Sequence, residues 1–301
     1  MQGMPVDNGL FMPEYIPDHK LLVKGINELS FQDIAYVISK SILSEDFSNS
    51  EIEEIIDQSI TFDSPLVNIV NNINILELFH GPTFAFKDFG ARFMARTMEK
   101  SVLSNDKELN ILVATSGDTG SAVAHGFYNV EGINVIILYP SGKVSNIQEK
   151  QLTTLDKNIY ALEIKGTFDD CQKLVKQAFL DSNLKSYLDL SSANSINIAR
   201  LIPQSFYYFN AYAKLNTDKK VVISVPSGNF GNLTAGMLAK KMGLPLDLFI
   251  ASTNANKTVP EFLQTRKYSP SPSISTISNA MDVGDPSNIK RIIDLYNNFE
   301  S

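Results

Sequence analysis

Cysteine and tryptophan are nearly missing from this sequence, which has one cysteine, Cys171, and no tryptophan in 301 residues. A single cysteine excludes a disulfide within the chain and a cysteine-rich zinc site. Cys171 stands in an amphipathic helical pattern, so we expect a structural thiol in the reducing cytoplasm. The three histidines, His19, His80 and His125, show no metal-ligand spacing, and we predict no metal site.

Long apolar runs and basic stretches are also missing. No segment approaches the roughly 20 consecutive apolar residues of a membrane span. Residues 1–9 lack the basic-then-apolar order of a signal peptide. The net charge is −7 without a basic stripe, which disfavours nucleic-acid binding. We therefore expect a cytoplasmic protein whose partner is a small molecule, with no nucleic acid and no membrane.

The first 75 residues follow a helical pattern. Residues 30–43 and 50–60 carry apolar side chains at helical spacing, and each run opens on a serine. Ser50 and Glu53 match a capping box, in which each side chain accepts a hydrogen bond from the other residue's backbone N–H. We predict a small helical N-terminal domain over residues 1–75.

From residue 73 onward, short apolar runs alternate with longer amphipathic ones. The predicted strands are 73–79, 111–115, 134–139, 159–164, 221–225 and 246–252. The predicted helices are 87–98, 119–129, 145–155, 167–180, 196–215, 232–242 and 288–299, with a turn at 216–220. Strand runs without alternation are typical of strands buried on both faces, and strand–helix repetition predicts an α/β fold with mainly parallel sheets. We predict this α/β region over residues 76–301, with a smaller subdomain at 100–200 and part of a larger one at 201–301.

The segment LFHGPTFAFKDFG at residues 78–90 places Lys87 among apolar and aromatic residues at the start of a predicted helix. Burial disfavours a charged ammonium group, so such a lysine can act as a nucleophilic amine towards an aldehyde cofactor. We expect the phenylalanines Phe84, Phe86 and Phe89 to pack in the core and to exclude water from Lys87. Asp88 is expected to cap the helix or to tune the lysine.

The segment ATSGDTGS at residues 114–121 follows a predicted strand and opens a helix. The backbone N–H groups at a helix start favour negative charge, and Thr115, Ser116 and Thr119 add hydroxyl groups. This pattern predicts a site for a carboxylate or a phosphate. A capped strand-to-helix turn without a ligand uses the same residue types, so both interpretations stay open.

The segment VPSGNFGN at residues 225–232 repeats this arrangement after the predicted strand 221–225. Gly228 and Gly231 allow close approach to the backbone, while Asn229 and Asn232 can donate hydrogen bonds. The spacing matches neither the P-loop nor the dinucleotide-binding glycine pattern and suits a single phosphate monoester.

A third polar stretch, SSANSINIAR at residues 191–200, contains Asn194 and Arg200 around a predicted helix start. Arginine is a strong phosphate partner, although a helix cap followed by a surface arginine explains the same pattern. Ligands of open α/β sheets bind outside the carboxyl ends of the strands. Because Lys87 and both glycine-containing loops follow predicted strands, we expect them to share one site.

Five motifs together resemble the threonine synthase family within the fold-type II enzymes that use pyridoxal phosphate (PLP). They are LFHGPTFAFKDFG, TSGDTG, SANSIN, PSGNFGN and NAMDV, in the family's order, and the resemblance covers nearly the whole chain. It implies a tryptophan-synthase-β-like α/β fold with mainly parallel sheets, flanking helices and a small helical N-terminal domain.

The resemblance also implies a role for each cofactor-binding residue. Lys87 would hold PLP through a Schiff base and serve as the catalytic base. Asp118 would lie near the phenolic oxygen of the cofactor, where many fold-type II relatives have asparagine. The cofactor phosphate would be bound by the loop residues Gly228, Asn229, Phe230, Gly231 and Asn232.

For the substrate, the resemblance implies O-phospho-L-homoserine. Thr115, Ser116 and Thr119 would bind its carboxylate, and Asn194 and Arg200 its phosphate, with Lys143 as a weaker partner for the same phosphate. The implied reaction removes the Cα and Cβ protons, releases phosphate from Cγ and adds water at Cβ to give L-threonine.

Two alternatives remain at the level of sequence. A lyase or dehydratase would release a 2-keto acid from the same site, and a catalytically silent PLP-binding protein would have the same loops. Chains of the resembled family extend further, and we expect the residue that faces the pyridine nitrogen to lie beyond residue 301. The quaternary state is predicted as monomer or homodimer.

Overall fold

The structure, a computed structural model, describes residues 9–103, 108–215 and 217–296. These residues form thirteen α-helices and eight β-strands. The helices are α1 Lys20–Val23, α2 Phe31–Leu43, α3 Asn49–Ser59, α4 Lys87–Leu103, α5 Asp118–Gly126, α6 Asn146–Thr153, α7 Phe168–Leu180, α8 Ser182–Tyr187, α9 Ile198–Leu201, α10 Pro203–Leu215, α11 Gly231–Lys241, α12 Thr258–Thr265 and α13 Ile289–Leu295. The strands are β1 Leu66–Val70, β2 Ile73–Leu76, β3 Leu109–Ala114, β4 Ile133–Pro140, β5 Ile159–Ile164, β6 Asp189–Ser192, β7 Val222–Pro226 and β8 Leu248–Ser252.

The central sheet is parallel and has the strand order β5-β4-β3-β6. The chain builds outward from β3 through β4 to β5 and then crosses back to place β6 on the other side of β3. The strand order therefore reverses between β3 and β6, which is where open α/β sheets bind ligands. The loops that follow these two strands are the predicted segments 114–121 and 191–200.

The remaining strands form two pairs. Strands β1 and β2 make an antiparallel hairpin, and β7 and β8 make a parallel pair. The sequence did not predict β1, because its turn depends on Asn71, which adopts a left-handed φ of 48°. The sequence also did not predict β6, α8 or α12.

Helices α2 and α3 begin with side-chain caps. Ser30 accepts a hydrogen bond from the Asp33 N–H, and Asp33 accepts one in return. The predicted box at Ser50 and Glu53 is wrong by two residues, since the structure caps α3 with Ser48 and Glu51. Two overlapping serine–glutamate pairs fit the same pattern, and the helix begins at the earlier one.

The apolar core has two main parts. One contains α2, α3, α10 and α11, so the N-terminal helices share a core with residues beyond 200. The other lies between the central sheet and helices α4 and α5. Helix α7 packs on the opposite face of the sheet, where Cys171 is buried as predicted. Division into domains at residue 75 remains a prediction.

The expectation that all the strands are buried on both faces is confirmed for β3 and wrong for several others. Every residue of β3 is buried. Strand β5 lies at the sheet edge and exposes Tyr160, and the β7–β8 pair exposes Val222, Leu248 and Ile250. A two-stranded pair has too few neighbours among the described residues to cover both of its faces.

The predicted helix 196–215 is two helices, α9 and α10, which meet at Pro203. Proline lacks an N–H group, so Pro203 cannot donate the hydrogen bond that would continue α9, although Ile202 before it keeps helical geometry. Residues 297–299 of the predicted helix 288–299, Asn216 of the predicted turn and residues 1–8 lie outside the described residues. Within the described ranges, no helix combines the length and apolar character needed to cross a membrane.

Candidate active site

Lys87 is the first residue of α4, and its amine is held by a carboxylate. Lys87 Nζ lies 2.7 Å from Asp118 Oδ2, and the two side chains are 17% and 22% exposed. The ring centroid of Phe86 lies 5.7 Å from the same nitrogen. The expected aromatic cluster is only partly formed, because Phe89 is buried in the core whereas Phe84 is 73% exposed. An ion pair and one ring, rather than a dry pocket, therefore surround the amine.

The loop before Lys87 is fixed by the buried carboxylate of Asp88. The Thr83 N–H donates to Asp88 Oδ2 at 2.9 Å, and the Thr83 hydroxyl donates to Asp88 Oδ1 at 2.6 Å. Burial raises the pKa of Asp88, and these hydrogen bonds oppose the rise. Gly81 makes room for this contact, because a Cβ atom there would lie 2.8 Å from the Cβ of Asp88. Asp88 thus fixes the conformation of the loop that leads into Lys87.

The loop after β3 presents the start of α5 to the same site. The buried Thr115 hydroxyl accepts hydrogen bonds from the N–H groups of Gly117 at 3.0 Å and Gly120 at 2.8 Å. Gly117 is the N-cap residue of α5, has a φ of 146° and gives no side-chain cap, so Thr115 from the preceding loop provides the acceptor for Gly120. The hydroxyls of Ser116 and Thr119 bond to no residue in the described part of the chain. Thr115 therefore shapes the loop, while Ser116 and Thr119 are free to bind a ligand.

The loop after β7 has the same design. Phe230 caps α11 with a left-handed φ of 61° and gives no side-chain cap. Within the described ranges, the backbone N–H groups of residues 228–232 donate to no protein acceptor. A Cβ atom at Gly228 would lie 2.6 Å from the Met281 Cα, so this glycine permits contact with the NAMDV segment. A row of free N–H groups at a helix start fits a phosphate.

The two asparagine side chains of this loop donate to acceptors within the protein, and their contact with a ligand phosphate stays a prediction. Asn229 Nδ2 donates to Ser195 Oγ at 2.5 Å, and Asn232 Nδ2 donates to the Pro226 carbonyl at 3.0 Å. Both amides hold the loop together, which leaves the backbone N–H groups as the donors for a ligand.

Arg200 is a buried residue and not the surface arginine of the alternative interpretation. It is 1% exposed, and its Nη1 donates to the Ala193 carbonyl at 2.5 Å, while its Nε has no hydrogen-bond partner. Burial lowers its pKa to about 10, and the Asp118 and Asp88 carboxylates oppose that shift. Gly90 of α4 brings the two helices together, because a Cβ atom there would lie 2.7 Å from the Arg200 carbonyl oxygen.

Asn194 follows β6 and is half-buried, and its side-chain amide has no partner in the described ranges. Lys143 is exposed in the loop after β4. His80 Nε2 lies 2.7 Å from Glu77 Oε2 at the exposed surface. Among the described residues, no group of three or more His, Cys, Asp or Glu side chains is arranged to hold a metal.

Two residues that the sequence did not single out connect the loops. Asn288 and Arg291, around the start of α13, are both buried and bond to the loops that contain Asn229 and Ser195. A local pattern cannot identify them, since their partners are far away along the chain.

The residues present fit PLP. They provide an amine, a carboxylate beside it, a phosphate cradle of backbone N–H groups at the start of α11 and a second anion site at the start of α5.

Comparison with known proteins agrees with this fit. A family profile described as "Pyridoxal-phosphate dependent enzyme" matches residues 68–300, and "Threonine synthase N terminus" matches residues 1–60. The chain is 49% identical to threonine synthase of Haemophilus influenzae over 98% of its own length and 69% of the relative. The crystal structure of threonine synthase from Escherichia coli superposes with a TM-score of 0.92 at 47% identity, covering 98% of this chain and 69% of that one.

A PLP-bound threonine synthase from Brucella melitensis also has a TM-score of 0.92, at 35% identity, with 98% of this chain and 66% of that chain covered. A PLP-dependent aspartate racemase has a TM-score of 0.60 at 14% identity, over 83% of this chain and 76% of that one, and this likeness shows the fold alone.

Proposed function

The chain belongs to the threonine synthase family of PLP-dependent lyases, and we propose that its described residues bind O-phospho-L-homoserine and convert it with water to L-threonine and phosphate. The observation that carries this proposal is the pair of Lys87 and Asp118 at the start of α5, together with a second helix start, that of α11, whose N-cap residue gives no side-chain cap. One amine and two anion sites match a phosphorylated cofactor and an amino acid.

Cofactor binding is assigned to Lys87 and the α11 loop. Lys87 Nζ would hold the cofactor at its aldehyde carbon, and the backbone N–H groups of Gly228, Asn229, Phe230, Gly231 and Asn232 would bind its phosphate. When bound, PLP supplies the electron sink that stabilises negative charge on the substrate carbon. Asp118, at 2.7 Å from Lys87 Nζ, orients the amine before the cofactor is attached.

Substrate binding is assigned to the switch point between β3 and β6. The hydroxyls of Ser116 and Thr119 and the free N–H groups at the start of α5 bind the carboxylate, while Thr115 holds that loop. Asn194 binds the phosphate, and the buried Arg200 supplies positive charge behind the same loop. An oxyanion leaving group is stabilised by such fixed donors.

Proton transfer is assigned to Lys87. Lys87 Nζ would take the proton from the substrate Cα, because it begins next to the reacting atoms. Loss of a second proton, from Cβ, would provide the electron pair that expels phosphate from Cγ. Protons would then return to Cγ and Cα, and water would add at Cβ. Where that water is held decides between threonine and a keto acid.

Two further assignments extend this proposal. We keep the cytoplasm as the compartment, supported by the single buried thiol of Cys171. Monomer or homodimer remains a prediction.

The test is product identification. The 301-residue chain is incubated with PLP and O-phospho-L-homoserine, and amino acids, keto acids and phosphate are measured for wild type and Lys87→Ala. We expect threonine and phosphate in equal amounts from wild type and neither from the variant.

Each other outcome has a defined meaning. A keto acid with phosphate would move the function to a lyase. PLP bound to Lys87, trapped by borohydride, without any product would indicate a catalytically silent chain.

A further inference from the structure

Arg291 is a buried guanidinium whose partners are all neutral oxygen atoms. It is 1% exposed and donates to the carbonyls of Phe11 at 3.0 Å, Ser195 at 3.3 Å and Ile196 at 2.7 Å. It also donates to Asn288 Oδ1 at 2.8 Å. No carboxylate of the described residues forms an ion pair with it. Burial lowers its pKa to about 10, which leaves Arg291 charged at neutral pH.

Asn288 connects Arg291 to the loop that follows β7. It is fully buried, and its Nδ2 donates to the Asn229 carbonyl at 3.1 Å. Asn229 in turn accepts from the Ser287 N–H at 2.6 Å and donates to Ser195 Oγ at 2.5 Å. The four residues Asn229, Ser195, Arg291 and Asn288 therefore close a ring of hydrogen bonds, in which the backbone carbonyls of Asn229 and Ser195 are two of the acceptors.

This ring joins the two loops that the proposed function assigns to phosphate groups. We name residues 227–232 the cofactor loop and residues 192–197 the substrate loop. The cofactor loop enters the ring through Asn229. The substrate loop contributes Ser195 to the ring, and its Ile196 carbonyl also accepts a hydrogen bond from Arg291. Both residues directly follow Asn194.

The charge balance indicates which kind of ligand completes the arrangement. A buried guanidinium without a carboxylate partner is costly even when its donors are satisfied. Arg200 is a second buried guanidinium, which donates to the Ala193 carbonyl of the same substrate loop, but the Asp118 and Asp88 carboxylates act on its charge. Burial alone shifts the pKa of Arg291, so an anion bound at the substrate loop would add the negative charge that Arg291 lacks among the described residues.

We propose that Arg291 is a positioning residue which, through Asn288, makes the cofactor loop and the substrate loop one unit, so that an anion on one loop orders the other. The proposal rests on the proposed function, in which residues 228–232 bind the cofactor phosphate. Coupling of this kind is reciprocal, so PLP strengthens binding of a phosphate monoester by the factor by which the monoester strengthens binding of PLP.

The test uses Asn288→Ala, which removes the link from Arg291 through Asn288 to Asn229 and keeps both Arg291 and the direct hydrogen bond from Asn229 to Ser195. Asn210→Ala is the matched control. Asn210 is a buried asparagine like Asn288, but its Nδ2 donates at 2.8 Å to the hydroxyl of Ser64, which belongs to neither loop. Amide hydrogen exchange is measured in both loops with and without PLP. Titration with PLP gives the dissociation constants.

We expect PLP to slow exchange in both loops of the wild type and of Asn210→Ala. In Asn288→Ala, PLP still slows exchange in the cofactor loop, but the protection of the substrate loop falls severalfold. The dissociation constant for PLP rises by about tenfold, as expected when a hydrogen bond to a charged group is lost.

Wild-type protection of the substrate loop in Asn288→Ala would overturn the inference. Failure of PLP to protect the cofactor loop of the wild type would instead contradict the proposed function. A second readout is independent of PLP: without ligand, Asn288→Ala must raise exchange in both loops together, and a rise confined to one loop would also overturn the inference.

Discussion

Two kinds of helix start occur in this protein, and they differ in what completes them. Helices α2, α3 and α7 begin with capping boxes made by Ser30, Ser48 and Thr167, so their first N–H groups are satisfied by their own sequence. Helices α5 and α11 begin at Gly117 and Phe230, which have positive φ and give no side-chain cap. The first kind adds stability, whereas the second leaves donors for a ligand.

The position of the two kinds agrees with this difference. The helices with capping boxes start away from the switch point of the sheet. Helices α5 and α11 follow β3 and β7 directly, and Lys87 lies 2.7 Å from Asp118, the first residue of α5. Helices α1, α12 and α13 also lack a side-chain cap, but their N-cap residues have negative φ. The positive φ of an uncapped N-cap residue, and not the missing cap alone, is therefore what α5 and α11 share.

The largest effect is expected at Lys87, which separates binding from chemistry. Lys87→Ala removes the amine but no helix-start donor, so PLP still binds without a covalent bond, and turnover falls by more than about a thousandfold. Borohydride trapping with mass spectrometry and product assays measure the two effects. Lys100→Ala is the control, because Lys100 lies on the same helix and pairs with the distant Glu54. Turnover retained in Lys87→Ala would contradict the assignment.

The next largest effect is expected from Gly228→Ala, which adds a side chain to the loop just before α11. A Cβ atom there would meet the Met281 backbone, so the loop must move. We expect PLP affinity to fall about tenfold or more and the free energy of unfolding to fall by about 1–3 kcal/mol. Gly25→Ala is the control, since nothing lies within 4 Å of its Cβ position. Equal PLP affinity in Gly228→Ala and wild type would show that the loop does not bind the cofactor.

A smaller effect is expected from the capped starts, and it is an effect on stability alone. Ser30→Ala and Ser48→Ala each remove a side chain that accepts a helix N–H. We expect a loss of about 1 kcal/mol in the free energy of unfolding for each, with unchanged PLP affinity. Urea unfolding and PLP titration of the same samples make this check, and weaker PLP binding in these variants would undo the contrast between the two kinds of helix start.

The smallest effect concerns His125 on α5. Burial lowers the pKa of His125, and the Asp88 carboxylate partly opposes this. As the pH is lowered below about 6.5, His125 of the unfolded chain therefore binds a proton before His125 of the folded chain does. The free energy of unfolding consequently decreases as the pH is lowered through that range. We expect His125→Asn to reduce the loss of unfolding free energy between pH 7.5 and 5.5. His19, whose pKa burial also lowers, keeps its contribution in this variant. An unchanged pH dependence would exclude His125 as a source.

The local parts of the site could be predicted from the sequence. A strand followed by small polar residues and a helix is a pattern of adjacent residues, and both 114–121 and 225–232 occupy that place in the fold. The resemblance carried by the motifs also predicted that Lys87 and Asp118 belong to one site, and the structure shows an ion pair between their side chains.

What depends on distant parts of the chain could not be predicted. The amide of Asn229 bonds to Ser195, and Arg291 bonds to Phe11, and neither partner can be identified from nearby residues. Burial of Arg200 depends on the approach of Gly90 from another helix. For the same reason the exposed faces of β7 and β8 were wrongly predicted to be buried, because apolar composition does not report how many strands flank a pair.

The measurement that tests the role of the uncapped starts most directly is NMR of the protein labelled with ¹⁵N-glycine, which has 16 glycines. PLP is titrated in, and Gly228 and Gly231 are assigned with alanine variants. We expect the N–H resonances of these two glycines to move downfield when their N–H groups donate to the phosphate, and we expect the resonance of Gly25 to stay in place. A shift of other glycine resonances, with those of Gly228 and Gly231 unchanged, would contradict the assignment of this loop to the phosphate.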